Sequence, residues 1–387
     1  MKIRTVLMGA LLVLLGAQSL LARTWTAVDG RTMEADFIRH DGKVVTFRLP
    51  SGAETKVPLT RLSEADQAFI SKIEAGKDSV PPNWNARWPD QLVYRESSKV
   101  TMVEENKEES RWVYESENYR FTCDVRLTIA VVRNFAEMFE STHYYTSQLP
   151  LAITGGFKTN GKYDIFLFES FADYVRAGGP PQSAGVFISG PRKSTILVPL
   201  KSVGVRKVGD SFFGDNRKSN RTLVHEITHQ LTPLQYFAPG ARGWFSEGLA
   251  EYCALTPYQN GSFGVRRAGD SLQQWVTSFD KRTRRGRNLG NVIDAPDLKA
   301  FMMMPYGHFA GSNANFNYGL GALLTLYFFH YDGEGDAARI KEFLKVLRAG
   351  GKPEPALEEL LDGRTWDELE ADIVAAFKKE RIKLRFR

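Results

Sequence analysis

The sequence predicts an α+β protein, with a small β unit near the N-terminus and a larger domain whose strands precede its helices. Three observations lead there. Short alternating runs broken by Asp-Gly and Ser-Gly turns fill residues 23–75. Strand-like runs recur between residues 112 and 200, and helical periodicity dominates after residue 219. Strands followed by helices, without regular alternation, favour a segregated architecture over a doubly wound sheet. A length of 387 residues fits two or three domains, and 43% hydrophobic residues exclude a disordered chain. Two cysteines are too few for a disulfide scaffold.

Taken in order, residues 1–22 carry Lys2 and Arg4, an apolar run from Val6 to Leu15, and small residues at Ala17, Ser19 and Ala22. That is the order of a secretory signal, and it implies an exported protein, periplasmic or extracellular after cleavage. The run is short for a bilayer span, which makes an uncleaved anchor the weaker alternative. Export permits a Cys123–Cys253 disulfide, though two buried free thiols are an equal reading. The net charge is +6, or +4 without residues 1–22, too mild an excess to indicate a nucleic-acid partner.

In residues 23–75, turns at Asp29-Gly30, Asp41-Gly42 and Ser51-Gly52 separate four short β runs, and Ser63 caps a helix expected to reach Ile73. With Trp25, Val57-Pro58-Leu59 and Leu62-Ser63-Glu64-Ala65-Asp66, this unit resembles the SH3-like Sla-homology module found in exported bacterial proteins. The resemblance implies a structural or peptide-binding accessory unit. Pro81-Pro82 and Pro89 mark residues 76–95 as a linker, and the main domain is expected over residues 96–387.

The chemistry concentrates in His225-Glu226-Ile227-Thr228-His229. Residues i and i+4 share a helical face, so both imidazoles can reach one metal with Glu226 beside it, the pattern of zinc hydrolases. A second helix, Trp244 to Tyr252, supplies Glu247 as a third ligand and Glu251 one turn later as an orienting carboxylate. Three protein ligands leave a corner for water, as in a catalytic zinc site. The two stretches together resemble the gluzincin, thermolysin-like superfamily of zinc metallopeptidases, in particular an exported bacterial branch. The resemblance implies Zn2+ as cofactor, His225, His229 and Glu247 as its ligands, Glu226 as general base, and a peptide or protein substrate. It also implies an oxyanion donor, for which Tyr318 is the first candidate and Tyr306 and His308 are others. The strand at Ala184–Ser189 or at Thr195–Leu200 is expected to line the cleft.

Other signals have plainer readings. Five cations between Lys281 and Arg287 suggest a solvated loop, with cell-envelope association as the alternative. Met302-Met303-Met304 fills core gaps or lines a pocket, and His40, His143 and His330 lack partners at ligand spacing. Two other functions stay open: a catalytically silent, metal-stabilised binding protein, and a zinc amidase acting on cell-wall fragments.

Overall fold

The computed structural model describes residues 22–40, 43–49, 51, 53–75, 83–95, 98–153, 155–181, 183–190, 193–214, 221–281 and 285–387. Apart from Ala22, the expected signal segment lies outside them. The chain divides into two compact units, Met1–Ile73 and Glu74–Arg387.

The first unit is an antiparallel meander of β1 (Ala22–Thr26), β2 (Thr32–His40), β3 (Val44–Arg48) and β4 (Glu54–Pro58), in that order, followed by helix α1 (Glu64–Ala75). Alternate residues turn inward, so Trp25, Phe37, Val45 and Phe47 meet Leu62 and Ile70 in one small core. The buried Trp25 indole donates to the Ala35 carbonyl at 2.8 Å. Ser63 Oγ accepts from the Asp66 amide at 3.2 Å as the expected cap, while Asp66 Oδ2 accepts from the Thr26 amide of β1 at 2.7 Å. The cap therefore also ties the helix to the sheet.

In the second unit the segment expected as a linker is mostly structural. Asn83 donates to the carbonyls of Ser147 and Leu149 and accepts from the Ala152 amide. Trp88 donates to the Tyr252 hydroxyl at 3.1 Å, and strand β5 (Leu92–Val93) joins a small sheet. Asn83, Trp88 and β5 instead hold the start of this unit in place, so of the expected 76–95 linker the described part, 83–95, belongs to the fold.

A six-stranded mixed sheet forms the front of this unit. Its strands are β6 (Thr101–Asn106), β7 (Arg111–Glu115), β8 (Tyr119–Cys123), β9 (Tyr163–Phe168), β10 (Val186–Gly190) and β11 (Lys193–Pro199), in the spatial order β10-β11-β9-β8-β7-β6. β9 runs parallel to both β8 and β11, and the other pairs are antiparallel. Helix α2 (Ile129–Gln148) lays Phe135 and Phe139 against Phe121 of β8. Helix α3 (Phe171–Arg176) follows β9, and a hairpin of β12 (Val205–Val208) and β13 (Ser211–Gly214) follows the sheet.

The back half is helical: α4 (Arg221–Leu231), α5 (Trp244–Leu255), α6 (Ala268–Thr277), α7 (Leu298–Met302), α8 (Tyr306–Phe309), α9 (Ala314–His330), α10 (Ala338–Arg348), α11 (Pro353–Leu361) and α12 (Trp366–Lys379). Short strands β14 (Tyr258–Gln259) and β15 (Ser262–Phe263) pair beside β5, and β16 (Val292–Ala295) runs parallel to the terminal β17 (Lys383–Phe386). The molecule is thus mixed α and β with a strand-rich front and a helical back. The chain after α12 ends in a strand, and α9 is buried on every side from Gly319 to Phe329.

Candidate metal centre

Helices α4 and α5 carry the motif residues, and both are fixed from behind. The buried Gln230 donates to the carbonyls of Asp164 in β9 and Ser194 in β11, which seats α4 on the sheet. Pro233 ends the run of α4, and a 3-10 turn at Leu234–Phe237 leads the chain back toward α5. Every residue of α5 is buried. At Gly248 a Cβ would stand 2.5 Å from the Gly321 carbonyl of α9, so only glycine lets the two helices approach this closely.

The result brings three side chains to a point. His225 Nε2 and His229 Nε2 lie 3.1 Å apart, and each is 3.1 Å from Glu247 Oε2. Glu251 Oε1 stands 3.4 Å from His225 Nδ1. A carboxylate accepts only, so Nδ1 carries a proton and the Nε2 lone pair of a neutral His225 faces the other two donor atoms. A tetrahedral ion with bonds of about 2.0–2.2 Å needs ligand atoms roughly 3.3–3.5 Å apart, within a few tenths of the spacing seen. The two imidazoles and one carboxylate could therefore hold a divalent cation such as zinc.

In the metal-free protein the electrostatics instead favour a protonated His225. Burial disfavours charge on His225, but hydrogen bonds to Glu247 and Glu251 outweigh it and hold the imidazolium well above its ordinary range. Burial would raise Glu247, yet the charge of His229 and bonds from both imidazoles drive it well below the usual carboxylate range. His229 is held differently. Its Nδ1 is buried without a hydrogen-bond partner among the described residues, and its ring packs between Phe187 at 6.2 Å and Phe237 at 6.0 Å.

Glu226 sits on the rim. Its Oε2 accepts from the Phe187 amide at 2.8 Å, so that amide points away from β11 and out of the sheet. β10 is the edge strand of the sheet and β11 is interior. By alternation, the backbone groups of Phe187 and Ser189 face the open edge.

The wall beside His225 comes from residues 287–318. Tyr318 lies nearly parallel to the His225 ring at 6.3 Å. Burial, then the charge of Glu247, push the Tyr318 hydroxyl far above its ordinary range, and it hydrogen-bonds Tyr306. Tyr306 donates to Glu247 Oε1 at 3.0 Å, leaving Oε2 alone to face the histidines. His308, the remaining oxyanion candidate, is exposed on α8, and no contact among the described residues joins it to the triad.

Arg287 is the residue the sequence reading missed. Rather than a solvated loop cation, it is largely buried, 2.9 Å from Glu251 Oε1 and with its guanidinium 5.2 Å from the Tyr318 ring centroid. Its backbone is fixed as well, donating to Trp275 and accepting from Asn315. Arg282 and Arg284 lie outside the described residues. The other signals are structural. Met302 is buried with Met303 and Met304 packed against the core, and Cys123 and Cys253 are free, buried thiols rather than a disulfide. Burial lowers both His143 and His330 to about 4, and the side chain of His40 lies outside the described residues. Comparison of the chain with protein-family profiles, with curated protein sequences and with solved structures found no match.

Proposed function

We propose that the chain is an exported zinc peptidase of the gluzincin type, its catalytic domain preceded by an SH3-like accessory module. The observation that carries this reading is the placement of Glu247 Oε2 within 3.1 Å of both motif imidazoles, from a separate helix and 18 residues beyond the second histidine. Support for the export reading comes from the order of charged, apolar and small residues in 1–22. The four-stranded meander around Trp25 supports the module.

Zinc, when bound, brings the pKa of its water to about 7 and polarises a carbonyl. Glu226 is placed to act as general base. The Phe187 amide holds its Oε2, which leaves Oε1 to take a proton from the attacking water and hand it to the leaving amine. Tyr306 has its proton committed to Glu247. Tyr306 can therefore only accept from Tyr318, and Tyr318, kept protonated by burial and by the Glu247 charge, would serve a developing oxyanion by turning that proton from Tyr306 to the substrate. With the Phe187 amide taken by Glu226, the Phe187 carbonyl and the backbone groups of Ser189 on the β10 edge would hold an extended peptide by strand addition.

The test is metal analysis joined to peptide cleavage, with Glu226→Gln as control. One zinc per chain is expected in both proteins, with cleavage reduced about 100-fold or more in the variant. Absence of bound zinc, or undiminished cleavage by Glu226→Gln, would reject the reading. Zinc retained without cleavage by the unaltered protein would favour a metal-stabilised binding protein, and release of amines from wall fragments alone would favour an amidase.

A further inference from the structure

The three carboxylates of the site are all engaged within the protein: Glu226 by the Phe187 amide, Glu247 by two imidazoles and Tyr306, Glu251 by His225 and Arg287. Arg242 and Arg221 are not balanced in the same way. Arg242 is exposed just before α5, with its guanidinium 4.6 Å from the ring centroid of Tyr306, the residue whose hydroxyl rests on Glu247. Arg221 sits on α4 one turn before His225, half-buried against the Trp275 ring at 4.8 Å. Among the described residues neither has a carboxylate in salt-bridge contact. Burial and then repulsion from Arg285 lower the pKa of Arg221, against a smaller opposing effect of Glu251. A half-buried guanidinium beside a like charge is costly without a counter-ion. A bound divalent ion would add two further positive charges to the same region.

We propose that this cationic rim, Arg242 against Tyr306 and Arg221 one helical turn before His225 with Arg285 near it, selects peptides that carry a carboxylate next to the bond to be cut. The proposal rests on the peptidase reading and specifies its substrate class. Arginine suits the task because its planar fork matches a carboxylate with two parallel hydrogen bonds. The positive field at the mouth also draws anionic chains toward the site. An Asp or Glu side chain and a C-terminal α-carboxylate offer the same chemistry.

Binding to the zinc-loaded Glu226→Gln protein separates recognition from turnover. Calorimetry would use nonapeptides identical except for one central Asp or Asn, each with a free or an amidated C-terminus. One carboxylate form is expected to bind about tenfold more tightly than its neutral twin. The side chain's advantage would mark cleavage within chains, and the free terminus's advantage would mark trimming of ends. Adding Arg242→Gln or Arg221→Gln should bring the ratio toward 1, whereas Arg242→Lys should keep most of it. Equal affinity of charged and neutral twins, or a ratio unchanged in both glutamine variants, overturns the proposal. Failure of the unaltered protein to cleave any of these peptides would instead sink the peptidase reading, while the measured ratio would still decide the rim's role.

Discussion

The two histidines of the triad sit on the same helix face, yet the protein holds them by different physics. His225 is gripped electrostatically: Glu251 at its Nδ1, Tyr318 over its face, and Arg287 touching both of those. His229 has no partner at Nδ1 among the described residues and is held by the Phe187 and Phe237 rings. One imidazole is oriented by charge and the other by shape. A charge-held ligand depends on remote residues and on pH, whereas a packed one tolerates changes that preserve volume.

Glu247 is the atom both histidines share, so its loss removes the comparison altogether. Glu247→Gln is expected to weaken zinc binding by about 100-fold or more, because it removes the one negative charge in the ligand set. Competition with a chromogenic chelator measures this. A loss below tenfold would mean that the two imidazoles suffice. On the His225 side alone, Arg287→Gln leaves Glu251 buried without its arginine and Tyr318 without its cation–π contact. Zinc affinity should fall roughly 10- to 100-fold, the usual cost of disturbing the partner of a ligand histidine. Affinity unchanged in that variant would show that Arg287 serves folding only.

The charge-held histidine also sets the response to pH. His225 in the metal-free protein has a pKa raised above its ordinary 6.5, so its stabilising contribution is complete below that value and is lost as pH rises through the raised one. Glu247 is lowered from 4.5, so its contribution is present above that value and is lost as pH falls through the lowered one. The pair therefore supports the metal-free fold most between about 4.5 and 6.5. Metal binding must displace the His225 proton, and affinity should rise about tenfold per pH unit up to the raised pKa. Titration calorimetry in buffers of different ionisation enthalpy counts that proton at pH 7. A count of zero would place the proton elsewhere.

The sequence made one half of this arrangement legible and concealed the other. His225, Glu226 and His229 follow from helical spacing, and Glu247 and Glu251 from a second short motif, because each set lies on one helix. Arg287 and Tyr306 gain their roles only by tertiary approach, from a basic run and from a four-residue helix with no spacing rule linking them to α5. The Phe187 amide is a backbone group and leaves no trace in side-chain identity. The same limit explains residues 83–95: Pro89 and Asn83 look like turn formers until Asn83 is seen bonding three backbone groups of the α2 terminus. The late strand β17 was hidden because its stability comes from parallel pairing with β16.

The smallest expected effect sharpens the contrast most. Phe237→Leu trims the ring that packs on His229 but keeps an apolar side chain of similar bulk, and no hydrogen bond or charge is lost. Volume-conserving apolar exchanges usually cost less than about 1.5 kcal/mol. Zinc affinity should fall by only a few fold, and its slope with pH should stay as it was, because His225 keeps Glu251 and Arg287. A cobalt-substituted sample would report the ligand field directly through its visible spectrum. If Phe237→Leu instead weakened the metal as much as Arg287→Gln, packing would orient ligands as strongly as charge does here, and the division between the two histidines would fail.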